Sequence, residues 1–314
     1  MASLRPRVAI VRRAFTGTDA TNVHPDADWP HLSAALNEAG ADATSVGWDQ
    51  EDVDWGHFHL VVINSTWDSV DRPQEYLAWV RRASRFTTVV NPSPAIEWNI
   101  DKVYLRALES RGVPIVPTEW VTDEAGWEPP PYEFVVKPSI SAGGRETARY
   151  QPDQAPTALA HLRRLLGRGQ TVMVQPYLST VDTEGEVKLV FVDGDFSHAV
   201  RVGPLLAAGA GVTERPWERP VTMEAIPPTA AQLEAAHEVL AAVRGEVDQP
   251  LLYARVDLVA APSGEPLLGE VEVVDPSLFL RLAPPAADRY AAAITSRARK
   301  GWRRETPGLP PEEP

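Results

Sequence analysis

Hydrophobic positions along the chain follow two periods, and the switches between them mark its elements. Arg7 to Arg13 reads as a first strand. His31 to Ala39 has helical spacing and stops at Gly40, and Thr44 to Trp48 is a second strand. Leu60 to Asn64 is apolar almost throughout, as a strand covered on both faces is. Pro73 to Ala83 predicts a helix carrying Tyr76, Leu77, Trp79 and Val80, and Thr87 to Val90 a fourth strand halted by Asn91-Pro92. This alternation predicts a parallel sheet with right-handed crossovers.

A second region opens at Asn99, with a helix over Lys102 to Ser110, a proline-rich connector at Glu128 to Pro131 and a strand at Phe134 to Lys137. The loop Ser139 to Arg145 follows, then a helix over Ala158 to Leu166 and a strand over Thr171 to Gln175. From Glu186 the pattern turns to hairpins. Val187 to Val192 and Phe196 to Val202 flank an Asp193-Gly194 turn, and Tyr253 to Ala260 and Pro266 to Val274 flank Pro262-Ser263-Gly264. Gly203 to Pro220 reads as a loop, Ala230 to Val243 and Asp288 to Arg299 as helices, and 306–314 as a disordered acidic, proline-rich tail.

Composition narrows the function. The 314 residues suffice for about two domains. A net charge of −13 argues against a general nucleic-acid or anionic-membrane binder, while leaving room for a local phosphate pocket. The absence of cysteine excludes disulfides, thiolate catalysis and cysteine-ligated metals. Neither a signal peptide nor a membrane-length apolar run is evident, so a cytoplasmic protein is expected.

Neither a P-loop nor a dinucleotide fingerprint is present. Lys137 ends a strand and precedes Gly143-Gly144, so that backbone N–H groups could close over a phosphate held by the lysine. An ordinary turn after a surface lysine has the same pattern. Near the C-terminus, Glu270 and Glu272 share one strand face, and Asp257 lies on the neighbouring strand. Three carboxylates with neither His nor Cys suit Mg²⁺, and a solvated acidic face is the alternative. His57 and His59 lack a third ligand and read as surface residues.

Taken in order, Lys102, Lys137 with its glycine loop, MVQPYL, GEVKLVFVDGDFSHAVR, ARVDLV and GEVEVVDPS resemble an ATP-grasp ligase of the glutathione synthetase and RimK type. WNIDK, STWDS and FSHAVR look closest to a compact bacterial branch that includes the O-ureido-serine cyclo-ligase of cycloserine biosynthesis. The resemblance implies an α/β fold. A Rossmann-like domain at 1–98 would precede an ATP-grasp N-terminal lobe with a mobile lid at 99–176 and a C-terminal lobe with the metal site at 177–305. ATP and Mg²⁺ are the implied cofactors.

The resemblance also assigns roles. Lys102 and Lys137 would bind the ATP phosphates, and Ser139, Ser141, Gly143 and Gly144 would form the lid. Gln175, Tyr177 and Leu178 would hold adenine, partly through backbone hydrogen bonds, Glu186 the ribose and Lys188 the γ-phosphate region. Asp257, Glu270 and Glu272 would be the metal ligands, with Arg201 and Arg255 facing the transferred phosphate and the substrate carboxylate. Ser65, Thr66, Trp67 and Asp68 would wall the substrate pocket, Asp68 pairing with an ammonium group and His198 bordering it. Asn64 and Ser69 depart from the Arg and aromatic common in relatives, which bears on the substrate rather than the nucleotide. The implied function is carboxylate–amine ligation through an acyl phosphate on a small amino-acid-like molecule, including intramolecular ring closure, by an enzyme that can be a homodimer. RimK-like modification of a protein tail and a non-catalytic nucleotide-binding regulator are the alternatives.

Overall fold

The computed structural model describes residues 5–13, 27–212 and 220–305. The expected tail at 306–314 and part of the loop before Pro220 lie outside them. The first sheet contains β1 (Arg7–Arg12), β2 (Asp42–Gly47), β3 (Leu60–Ser65) and β4 (Val89–Val90), all parallel, in the order β2-β1-β3-β4. Helices α1 (Trp29–Glu38), α2 (Pro73–Ala83) and α3 (Ser93–Asn99) accompany it. α3 was not expected. It begins at Ser93-Pro94, where proline's fixed φ suits a first helical turn.

The second sheet follows α4 (Tyr104–Ser110). It consists of β5 (Glu119–Val121), β6 (Phe134–Pro138), β7 (Ala148–Tyr150) and, after α5 (Ala155–Leu166), β8 (Val172–Pro176). α5 buries Ala158, Leu162 and Leu165 against Phe134, Val136 and Val174.

After the short helix α6 (Thr180–Glu184) comes a third sheet of β9 (Glu186–Val192), β10 (Asp195–Val202), β11 (Met223–Ile226), β12 (Tyr253–Ala260) and β13 (Pro266–Glu272). Its order is β11-β10-β9-β12-β13, all antiparallel. Period-2 alternation divides its residues between two faces. Val187, Leu189, Phe191, Val256 and Leu258 pack on α7 (Ala230–Glu246). The other face carries Val190, Val192, Val200 and Val202 in one region and the charged residues Lys188, Arg255 and Asp257 in another.

The terminal helix α8 (Pro284–Glu305) is longer than expected and returns to the first sheet. Tyr290, Ile294 and Ala298 fall at four-residue intervals and join Leu32, Leu36, Val8 and Leu60 in one core. No described helix is long and apolar enough to cross a membrane.

The edge strand β13 is covered at Leu268 by a backbone bridge to Ile115 and further along by side chains. Tyr104 donates its hydroxyl to Val271 O and accepts Val271 N–H, at 2.8 and 3.0 Å. The Asn99 amide donates to Val271 O and accepts Val273 N–H, each at 2.8 Å. These contacts satisfy buried peptide groups that an uncovered edge leaves open, and they hold the strand that bears Glu270 and Glu272.

Candidate active site

Strand register assembles the charged centre. Lys188 stands opposite Asp257, Asp257 opposite Glu270, and Arg255 opposite Glu272. Lys188 Nζ lies 2.5 Å from Asp257 and 3.0 Å from Glu186. Arg255 grips Asp257 with two hydrogen bonds of 2.7 and 2.8 Å and also pairs with Glu272. Lys102 lies 3.3 Å from Glu270 and donates to Ser141 O at 2.6 Å.

Burial works against the Asp257 charge, but Arg255 and Lys188 outweigh it and hold the carboxyl down at about 2. Burial likewise disfavours the Lys188 charge, and Asp257 and Glu186 nonetheless raise its pKa above the ordinary lysine value. At Glu272 burial prevails over Arg255, and with Glu270 and Asp257 adding repulsion the carboxyl is pushed up to about 7. The Lys137 ammonium has no hydrogen-bond or ion-pair partner among the described residues. Burial, only partly opposed by Glu270, lowers it to about 8.

Two cavities meet at this centre. The first, of about 200 Å³, lies between the second and third sheets and is lined by Lys102, Lys137, Ser141, Gly143, Gly144, Gln175, Tyr177, Leu178, Glu186 and Lys188. Apolar Val116, Val135 and Val259 complete it, residues that carry no motif and went unpredicted. Ser139 sits beneath the loop rather than on the cavity, its N–H donating to Thr171 O and its carbonyl accepting Lys102 N–H. The Tyr177 N–H donates to Glu133 O at 2.8 Å, and Tyr177 lines the cavity beside Gln175 and Leu178. The Tyr177 ring is covered by the Arg149 guanidinium at 3.4 Å. Gly143 and Gly144 hold φ of 58° and 76°, a region that disfavours side chains, and so let the loop fold over the cleft. Arg145 ends that turn with a two-pronged pair to Asp71, at 2.9 and 3.0 Å, which ties the loop to the first-sheet region.

The second cavity, of about 210 Å³, lies on the first-sheet side and shares Lys102, Ser141, Gly143, Arg255, Glu270 and Glu272 with the first. Ser65 and Trp67 line it as expected, together with the unpredicted Asn99, Arg145, Asp275 and Ser277. Four residues are placed otherwise than expected. Thr66 is fully buried behind the wall, bonded to Asp275 and Tyr76. Asp68 turns away, accepting the Trp48 indole N–H at 3.2 Å and facing Arg72 at 3.4 Å. His198 donates Nε2–H to Leu278 O at 2.7 Å and borders neither cavity. Arg201 is opposite Val187 in the register, so it shares the α7 face rather than the Lys188 face, and it pairs with Glu224 at 2.8 Å. It is removed from the substrate site.

Asp257, Glu270 and Glu272 bring carboxylate oxygens within 4.8 Å of one another. Oxygen donors at this spacing, partly open to the cavities, fit a hard divalent cation.

The family description "D-cycloserine synthetase DcsG, N-terminal domain" matches residues 10–91. The cycloserine biosynthesis protein DcsG of Streptomyces lavendulae is 36% identical over 290 residues, which span 89% of this chain and 97% of that protein. The crystal structure of D-cycloserine synthetase DcsG matches with a TM-score of 0.83 at 34% identity, covering 93% of this chain and 99% of that one. Two more distant structures share the fold. D-alanine–D-alanine ligase from Bacillus anthracis, complexed with ATP, gives a TM-score of 0.65 at 14% identity, covering 96% and 99% of the two chains. A RimK domain ATP-grasp protein from Sphaerobacter thermophilus gives 0.61 at 18%, covering 93% and 98%. With this likeness running almost end to end, and with two cavities joined at a cluster of lysine, arginine and carboxylates, the chain belongs to the family of the D-cycloserine synthetase DcsG and has the ATP-grasp fold.

Proposed function

We propose that this ligase activates the carboxylate of a small zwitterionic amino-acid-like molecule and closes it onto a nitrogen of the same molecule, forming a ring of the cycloserine type. The observation that carries the reading is the meeting of two chambers at one charged centre, with six lining residues in common. The first has the apolar walls and lysines that suit a nucleotide, and the second, of similar volume, is lined by the polar side chains of Asn64, Ser65, Asn99, Asp275 and Ser277.

In this reading Lys102 and Lys137 hold the ATP phosphates and Lys188 faces the γ-phosphate. Asp257, Glu270 and Glu272 would hold a magnesium ion, whose chemistry is to neutralise phosphate charge. Arg255, at the junction, orients the substrate carboxylate so that one of its oxygens reaches the γ-phosphorus and ADP leaves. The internal nitrogen then attacks the acyl phosphate, gives up a proton and expels phosphate. Ser65, Trp67 and the Gly143-Gly144 loop keep water from the activated carbonyl. A cytoplasmic homodimer completes the reading, and light scattering tests the oligomeric state.

The test is magnesium-dependent ADP release over a panel of O-ureido-serine, paired free amino acids and acidic peptides, with products identified by mass. Release with O-ureido-serine, and a product lighter by ring closure, is expected. Release only with peptides would replace this reading by tail modification. Nucleotide binding without release on any substrate would replace it by a regulator.

A further inference from the structure

The second cavity contains a carboxylate that the steps above do not use. Asp275 follows β13 by three residues, and its side chain lines the cavity. Its Oδ2 accepts the Thr66 N–H at 2.9 Å and the Thr66 hydroxyl at 3.2 Å, across 209 positions of sequence. The Thr66 hydroxyl also meets the Tyr76 hydroxyl at 2.9 Å, and both residues are fully buried. Asp275 Oδ1 has no hydrogen-bond partner among the described residues.

The other charges around the cavity are engaged. Asp28 accepts four hydrogen bonds from the 277–280 segment. Arg145 holds Asp71, and Arg255 holds Asp257 and Glu272. Lys102 faces Glu270, and Glu270 and Glu272 belong to the candidate cation site. An acceptor oxygen remains at Asp275, beside the Ser65–Trp67 wall. An amino-acid-like substrate brings a carboxylate for the charged centre and an ammonium that needs an anionic partner once desolvated.

We propose that Asp275 binds the substrate ammonium through Oδ1 while Oδ2, through Thr66, keeps the Ser65–Trp67 wall in register with it. The proposal rests on the reading of this cavity as the site of a zwitterionic substrate. Burial first, and then repulsion from Glu272, push the Asp275 carboxyl up to about 7, and an ammonium within hydrogen-bond reach favours its ionised form. Tyr76 and Thr66 act on the substrate only through this carboxylate and are positioning residues.

The experiment compares O-ureido-serine, in both enantiomers, with its des-amino analogue 3-(ureidooxy)propionate, by ADP release from the wild-type enzyme, Asp275→Asn and Thr66→Val. For the wild type, the analogue's KM is expected to exceed that of the preferred amino acid by roughly 30-fold, the scale of a hydrogen bond between charged groups. Asp275→Asn should raise the amino-acid KM by about the same factor, leave the analogue's KM within about 2-fold and leave the KM for ATP unchanged. Thr66→Val should show the same selectivity, weakened to about 3-fold, since the backbone N–H remains. If the wild type releases no ADP with either compound, the functional reading fails and takes this proposal with it. If the wild type uses both compounds equally well, or if Asp275→Asn impairs both to the same degree, the proposal alone is overturned. The wild-type comparison decides the matter even if Asp275→Asn does not fold.

Discussion

Asp28 offers a sharp test of how the first-sheet region is joined to the third. It is 6% exposed and precedes α1, yet its carboxylate serves a segment 250 residues away. One oxygen accepts Leu280 N–H at 2.7 Å, and the other accepts Leu278 N–H, Phe279 N–H and the Ser277 hydroxyl at 2.7, 3.1 and 3.3 Å. Phe279 sits at φ 52°, a left-handed conformation that costs a non-glycine residue about 1–2 kcal/mol. Asp28→Ala leaves three backbone donors without acceptors in a segment where Leu278, Phe279 and Leu280 are buried. At about 1–3 kcal/mol for each orphaned group, and taking the low end because water can enter the vacated space, the loss is about 3 kcal/mol. At about 2–4 °C per kcal/mol, the midpoint of thermal unfolding should fall by about 6–12 °C. Asp28→Asn keeps one acceptor oxygen and should lose about half as much. Because Ser277 lines the second cavity and its carbonyl accepts from Arg255 at 3.3 Å, the KM for the small substrate should rise while that for ATP holds. The readouts are scanning fluorimetry and ADP release. A midpoint drop under about 3 °C for Asp28→Ala would show that this carboxylate does not clasp the two regions together.

Other outcomes follow from the charged centre and its surroundings. Glu270→Gln, a partly exposed side chain paired to Lys102, should lower magnesium-dependent ADP release by about 10²-fold with little change in stability, whereas Asp257→Asn should also destabilise the fold by about 3–5 kcal/mol by leaving Lys188 and Arg255 buried without their partner; a Glu270/Glu272 double variant with normal turnover would refute the metal assignment. Lys137, held down at about 8, should take up about half a proton when ATP binds at pH 8, seen as a buffer-dependent binding enthalpy that Lys137→Arg abolishes. His161 accepts from the Tyr150 hydroxyl and donates to Glu146 O, and burial, with help from Arg164, lowers it to about 4. Below the unfolded value of 6.5 the unfolded chain takes the proton that the folded chain refuses, so stability should fall by about 3 kcal/mol between pH 6.5 and 4 and then level off. Urea midpoints across that range check this, and His161→Gln should flatten the slope.

What could be read in advance, and what could not, follows from the range of each interaction. The strand Tyr253–Ala260 was legible because Ala254, Val256 and Leu258 alternate with Arg255 and Asp257 in a run free of glycine and proline. The turn that follows would alone set Asp257 opposite Gly269, and an irregularity between Asp257 and Leu258 shifts the register by one residue and brings Glu270 opposite Asp257. The three-residue strands β5 and β7 are shorter than a readable period, and their pairing is decided by β8 and β6. Arg201 shows that proximity in a motif is weaker evidence than parity. It lies one residue from Val200, which is opposite Lys188, and that single step sends its side chain to the other face of the sheet. The signal was present in the hairpin itself, since the apolar positions Val200 and Val202 flank Arg201 and must be buried on the face it avoids. Asp28, Thr66 and Asp275 had no such local signal. An aspartate bonded to amides more than 200 residues away imposes no period on its own neighbours, and only the docking of the first and third sheets supplies its partners. The same reasoning separates the two cavities. The residues proposed to hold the nucleotide recur along strands and loops of the second and third sheets, where spacing is informative. The second cavity is made where first-sheet segments meet the end of β13, so its selectivity is set by residues that become neighbours only after folding.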